Sequence, residues 1–160
     1  MKIQFLLFGL LILLFSACKK ESYNPTKQAT IDENKIQAYI AANHLTVTKD
    51  PSGIYYQIIT QNPGPHPSVA DSDTIQVTYT GKLLNGSVFD TETVTTFPLA
   101  SLVPGFIDGM KLIGANGQAP YSRIFMIIPS SLGYGSAAGE AVPPNSVLIF
   151  TVDLIGFYGK

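Results

Sequence analysis

Thr74-Ile75-Gln76-Val77-Thr78-Tyr79-Thr80 alternates without a break. A period of two puts Ile75, Val77 and Tyr79 on one face of a strand and Gln76, Thr78 and Thr80 on the other. Asn85-Gly86 follows, a pair that tolerates the positive φ of a tight reversal, and Val88-Phe89-Asp90 begins the return, so a hairpin is expected. On the N-terminal side, Ile54 to Thr60 is a β-branched and aromatic run. It lies between the turn chemistry of Lys49-Asp50-Pro51-Ser52-Gly53 and that of Asn62-Pro63-Gly64-Pro65.

On the C-terminal side the period changes. Pro104 suits a first helical position, Phe106, Met110 and Ile113 recur at helical spacing, and Gly114 is a stop signal, so one short amphipathic helix is expected there. Ser122 to Ile128 and Val147 to Phe157 read as further strands, the second with Leu148, Phe150, Val152 and Leu154 on one face. Earlier, Thr30-Ile31-Asp32-Glu33 has the form of a capping box, and a short helix is expected from there to about His44. Long strands with one short helix against their apolar side make an α+β domain.

The first eighteen residues form a separate object. Lys2 gives a positive start, Phe5 to Phe15 is an apolar run shorter than the ~20 residues of a spanning helix, and Ser16-Ala17 leads into the sole cysteine, Cys18. This arrangement resembles a bacterial lipoprotein signal, cleaved before a diacylated cysteine. An ordinary secretory signal or an uncleaved anchor stays open, and each of these exports the chain. The expected organisation is a signal over 1-17, a tether over 18-29, a helix and linker over 30-50 and a domain over 51-160.

Composition removes several functions. Ten Lys and Arg stand against eleven Asp and Glu, and the single arginine, Arg123, has no basic neighbours, so nucleic acid is excluded as a partner. Charged residues are 13% of the chain, which suits a compact, turn-rich domain. The histidines, His44 and His66, sit in the expected helix and in a proline-rich loop. No His-Glu-x-x-His, paired Cys-x-x-Cys or Gly-Lys-Ser/Thr occurs, so the parts of zinc hydrolysis and nucleotide binding are missing. Neither metal nor cofactor is expected.

Five segments then occur in fixed order: Val77-Thr78-Tyr79-Thr80-Gly81, Gly86-Ser87-Val88-Phe89-Asp90, Val103-Pro104-Gly105-Phe106, Ile128-Pro129-Ser130-Ser131-Leu132-Gly133-Tyr134-Gly135, and Val142-Pro143-Pro144-Asn145-Ser146-Val147-Leu148-Ile149-Phe150. This order, from about Pro51 to Tyr158, resembles the FKBP-type peptidyl-prolyl isomerases. The resemblance implies an antiparallel sheet curled around one short α-helix. It makes Tyr79, Phe89, Phe106 and Phe150 the walls and floor of a pocket for a proline ring, with Leu102 packed beside it. Val103 would present a backbone N–H at the edge, Tyr134 a hydroxyl to the carbonyl before the proline, Asp90 a carboxylate at the rim, and Val142 a place in an overhanging loop.

The implied catalytic residues are Tyr134, Asp90 and Tyr79, and the implied partners are proline-containing polypeptides and macrolides of the rapamycin type. A membrane would be met through lipidated Cys18 at the periplasmic side of a bacterial envelope. The chain departs from the family's pattern in having Phe106 where tryptophan is common, no assigned aromatic between Thr91 and Ser101, no arginine partner for Asp90, and extra length around Gly114 to Tyr121. Three readings stay open: an isomerase assisting exported proteins, a related module that binds peptide without isomerising it, and a structural or glycan-binding surface lipoprotein.

Overall fold

A computed structural model describes residues 23-63, 67-137 and 139-159. The expected signal, Cys18 and His66 lie outside them. The elements are α1 (Pro25–Ala42), β1 (Thr48–Lys49), β2 (Tyr55–Thr60), β3 (Thr74–Leu83), β4 (Val88–Pro98), α2 (Pro104–Met110), β5 (Ser122–Ile128) and β6 (Leu148–Tyr158). All six strands join one antiparallel sheet in the order β1-β2-β5-β6-β3-β4. The α+β architecture expected from the sequence is the one observed.

The alternation read in β3 is the alternation found. Ile75, Val77 and Tyr79 are buried, and with Leu148, Phe150, Val152 and Leu154 of β6 they make the inner face. Helix α2 lies against that face. Its closeness depends on two glycines: a Cβ on Gly105 would stand 2.4 Å from Ile128 Cγ2, and one on Gly109 would stand 1.9 Å from Met126 Sδ. The helix ends at Met110, so Ile113, expected within it, is buried beyond its end.

The opposite face is covered as well. Tyr55, Ile127 and Ile149 stand side by side across β2, β5 and β6, and Ile36 of α1 packs fully buried over them. Helix α1 therefore covers the outer face of the sheet in the domain expected from residue 51. An amphipathic sheet strip that size needs its own cover.

The start of α1 also differs from expectation. The helix begins at Pro25, with Asn24 as N-cap accepting from Lys27 N–H at 3.0 Å, so residues 25-29 belong to it and not to a tether. Asn24-Pro25 suits the polar tether expected over 18-29, but an Asn cap followed by Pro in the first turn is equally a helix start. Thr30 lies inside the helix, its hydroxyl donating to Thr26 O at 3.2 Å. Glu33, instead of closing a capping box, accepts from the Tyr55 hydroxyl, Gln37 Nε2 and Lys49 Nζ. Those bonds, Tyr55 first and then Lys49, hold its carboxyl down at about 2.

Strand β4 bends twice against β3. Gly81 faces Asp90 while Lys82 faces Val88, and farther along Val77 faces Thr95 while Tyr79 faces Glu92. Each shift is a bulge, in which extra residues crowd against one partner. The second sets Val94 at φ 52, 56% exposed, with its N–H donating to Thr78 Oγ1 at 3.2 Å. The Gly114 to Tyr121 segment, left without a role by the sequence, is held by Asn62, whose Nδ2 donates to Gln118 O at 2.7 Å and Pro120 O at 3.0 Å. No helix among the described residues is long and apolar enough to cross a membrane.

Candidate active site

At the concave end of the inner face four aromatic rings meet. Tyr79 comes from β3 and Phe150 from β6, with ring centroids 6.1 Å apart. Phe106, raised from α2, stands edge-on to both, 5.2 Å from Phe150 at 88° and 6.2 Å from Tyr79 at 79°. Phe97 of β4 approaches Tyr79 at 6.2 Å. Edge-to-face contacts of this kind are worth about 0.5–1.5 kcal/mol each beyond the area they bury. The rings thus hold each other in place while leaving a gap.

That gap is a cavity of about 110 Å³ lined by the four rings with Asp90, Ser101, Leu102, Val103 and Tyr134. Pockets for a drug-sized ligand run to roughly 300–1,000 Å³, so this one takes a single side chain. Its depth is aromatic, and its polar groups sit at the mouth. Val103 is the N-cap of α2, and Leu102 immediately precedes it.

The first bulge of β4 explains the position of Asp90. Without it Phe89 would face Gly81; with it Asp90 does, and the carboxylate accepts from the Tyr79 hydroxyl at 2.6 Å. Phe89 is displaced one layer back, edge-on to Phe150 at 5.5 Å. Gly81 leaves room for this arrangement, because a Cβ there would stand 2.7 Å from Phe89 Cζ and 2.9 Å from Phe150 Cε1. Burial, followed by the bond to Asp90, pushes the Tyr79 phenol well above the ordinary tyrosine range. Burial and the Asp90 charge raise Tyr134 likewise. Both hydroxyls are therefore donors at neutral pH.

The structure thus gathers Tyr79, Asp90, Leu102, Val103, Phe106, Tyr134 and Phe150 around one cavity, as the sequence suggested. Two of the expected residues do not line it. Phe89 backs the wall without lining the cavity, because the bulge hands its place to Asp90. Val142, expected to overhang the site, is not among the lining residues and is buried in the same apolar cluster as Tyr79, Phe106 and Phe150. The arginine sought for Asp90 is absent because Arg123 is engaged on the outer face, bonded through Nε and Nη2 to Asp153 at 2.6 and 2.7 Å. Asp90 has the Tyr79 hydroxyl in its place.

Phe97 and Ser101 were missed. Phe97 supplies the aromatic that could not be assigned between Thr91 and Ser101. The available signal was its odd-numbered place opposite the buried face of β3, where it pairs with Ile75.

Comparison with known proteins points the same way as the geometry. The sequence profile described as FKBP-type peptidyl-prolyl cis-trans isomerase matches residues 66–155. A probable FKBP-type peptidyl-prolyl cis-trans isomerase of Haemophilus influenzae is 34% identical over 159 residues, covering 96% of this chain and 63% of that protein. The isomerase FkpA of Escherichia coli K12 is 34% identical over 135 residues, 81% of this chain and 47% of that protein. The chain therefore spans about half to two thirds of the length of these relatives. The crystal structure of Escherichia coli FkpA superposes with a TM-score of 0.68 at 31% identity, over 84% of this chain and 62% of that one. A Pseudomonas syringae isomerase structure shares the fold, with a TM-score of 0.66 at 24% identity, over 87% of this chain and 99% of that one. With more than half of its length matched by the profile and an aromatic cavity built from the matching segments, the chain belongs to the FKBP-type peptidyl-prolyl cis-trans isomerase family.

Proposed function

We propose that the protein is a peptidyl-prolyl cis-trans isomerase that accelerates Xaa-Pro rotation in exported polypeptides. The observation that carries this reading is the small aromatic cavity with a tyrosine hydroxyl at its mouth. Rotation about Xaa-Pro meets a barrier of ~18–20 kcal/mol and takes tens to hundreds of seconds unaided. Shortening it about a thousandfold requires roughly 4 kcal/mol, and no bond is made or broken.

The planar amide is charge-separated and well hydrated, and the twisted transition state is less so. Tyr79, Phe97, Phe106 and Phe150 offer the ring a water-poor seat that disfavours the ground state more than the transition state. The Tyr134 hydroxyl donates to the carbonyl preceding the proline and orients it. Asp90, bonded to Tyr79, fixes the wall. A macrolide of the rapamycin type competes for the same seat.

Exchange NMR of an Xaa-Pro peptide with the protein tests this. Catalysed exchange, suppressed by the macrolide, is the expected result. Tyr134→Phe lowers kcat/KM about three- to tenfold, the scale of one neutral hydrogen bond of ~1 kcal/mol. Macrolide binding without catalysis would reject the isomerase in favour of a peptide-binding module. Total loss in Tyr134→Phe with an intact fold would contradict the non-covalent mechanism.

The apolar run before Cys18 supports export, and the solitary cysteine at its end supports lipid anchoring in the cell envelope. Incorporation of an alkyne-labelled fatty acid should be complete in the full chain and absent in Cys18→Ala. Equal labelling of the two removes the anchor.

A further inference from the structure

We propose that Asp32, on the N-terminal helix, is a positioning residue for Tyr134. Asp32 is 1% exposed, far from the cavity in sequence and not among its lining residues. Its Oδ2 accepts twice from one residue, Ser130 N–H at 2.9 Å and Ser130 Oγ at 2.6 Å, while Oδ1 accepts from Gln28 Nε2 at 2.8 Å. All three donors are neutral. A buried carboxylate is costly unless hydrogen-bonded, and the docking of α1 is already served by Ile36 over Tyr55, Ile127 and Ile149.

What the carboxylate adds becomes clear from the other side of Ser130. The Ser130 carbonyl accepts from Gly133 N–H at 3.1 Å and from Gly135 N–H at 2.8 Å, the two residues that flank Tyr134. Gly135 sits at φ 59, a conformation that glycine adopts freely, and its own carbonyl accepts from Asn145 N–H at 2.7 Å. Ser130 is thus the post to which both ends of the tyrosine turn are tied, and Asp32 holds the post. A side chain that takes both the N–H and the hydroxyl of Ser130, at 2.9 and 2.6 Å, stiffens a turn whose tyrosine is 46% exposed and lies outside every strand. The helix outside the matched segment therefore sets the geometry of the site.

This inference rests on the isomerase reading, and two readouts on the full chain keep the two apart. In Asp32→Asn, the amides of Gly133 and Gly135 exchange with solvent about tenfold faster while those of β6 are unchanged, a local rather than global opening. Under the same conditions kcat/KM for an Xaa-Pro peptide falls about fivefold beside Tyr134, and by less than about 1.5-fold in a Tyr134→Phe background, because Asp32 acts through that hydroxyl. Unaltered exchange at the two glycines overturns the proposal whatever the activity does. Equal losses in both backgrounds also overturn it, since a merely structural role would lower both alike.

If the unaltered chain does not isomerise, the functional reading fails alone and glycine exchange decides the positioning. Should Asp32→Asn fail to fold, Ser130→Ala carries the test: it removes only the 2.6 Å hydroxyl bond, and the same pattern is expected at about twofold.

Discussion

Replacing Gly109 by alanine lowers stability by about 1–3 kcal/mol, the usual cost of forcing an extra carbon into a filled core. The new Cβ would sit 1.9 Å from Met126 Sδ and 3.3 Å from its Cε and Cγ. Methionine is adaptable, but Met126 is fully buried and a close-packed interior leaves it nowhere to go. Alanine's better helix propensity, worth up to ~1 kcal/mol, offsets part of the clash and does not reverse it. The check is urea unfolding, with a lower midpoint at unchanged slope. The assignment of cause comes from Met126→Ala, which alone costs about 2–5 kcal/mol. Combined with Gly109→Ala it costs less than the two separately, because the added methyl enters the emptied space. A Gly109→Ala protein as stable as the parent would mean that α2 does not lie where it is placed.

Phe150→Ala is expected to have the largest effect on both folding and turnover. Its ring is buried and touches Tyr79, Phe89 and Phe106, so truncation costs about 3–5 kcal/mol of stability. It also opens the cavity to water and removes the surface on which a proline ring would rest. A fall in kcat/KM of about 100-fold, ~2.7 kcal/mol of transition-state stabilisation, is expected from the fraction that remains folded. Phe150→Leu separates the two consequences: keeping apolar volume holds the stability loss under about 1.5 kcal/mol, while turnover still drops about tenfold because the edge-on face is gone. Near-normal turnover in a folded Phe150→Ala protein would rule out the aromatic seat as the catalytic device.

Features governed by local periodicity were legible from the residues alone. The β3 alternation, the Asn85-Gly86 reversal and the inner face of β6 appear where the pattern put them, because a period of two with one buried face admits a single register. Long-range geometry was less legible. The two bulges of β4 are set by what β3 and the rings require across the sheet, and nothing local in Val88 to Thr96 announces them. Hence the sequence shows neither the Tyr79 partner of Asp90, nor that Phe89 stands behind Phe150, nor the place of Phe97 in the cavity. The start of α1 failed for another reason: Asn24-Pro25 is compatible with a loop and with a helix cap, and only the apolar strip of Tyr55, Ile127 and Ile149 decides between them.

The bulges of β4, the first of which places Asp90, also affect how the protein meets copies of itself. Strand β4 is eleven residues long and lies at the margin of the sheet, so a straight β4 would offer a long row of unpaired amides and carbonyls to any passing extended chain. Two interruptions of register break that row into short pieces, and a β-branched residue held at φ 52 in the second keeps it broken, since no regular strand can dock across a left-handed residue. The irregularity that builds the mouth of the cavity thus also makes the sheet margin a poor template for intermolecular strand addition.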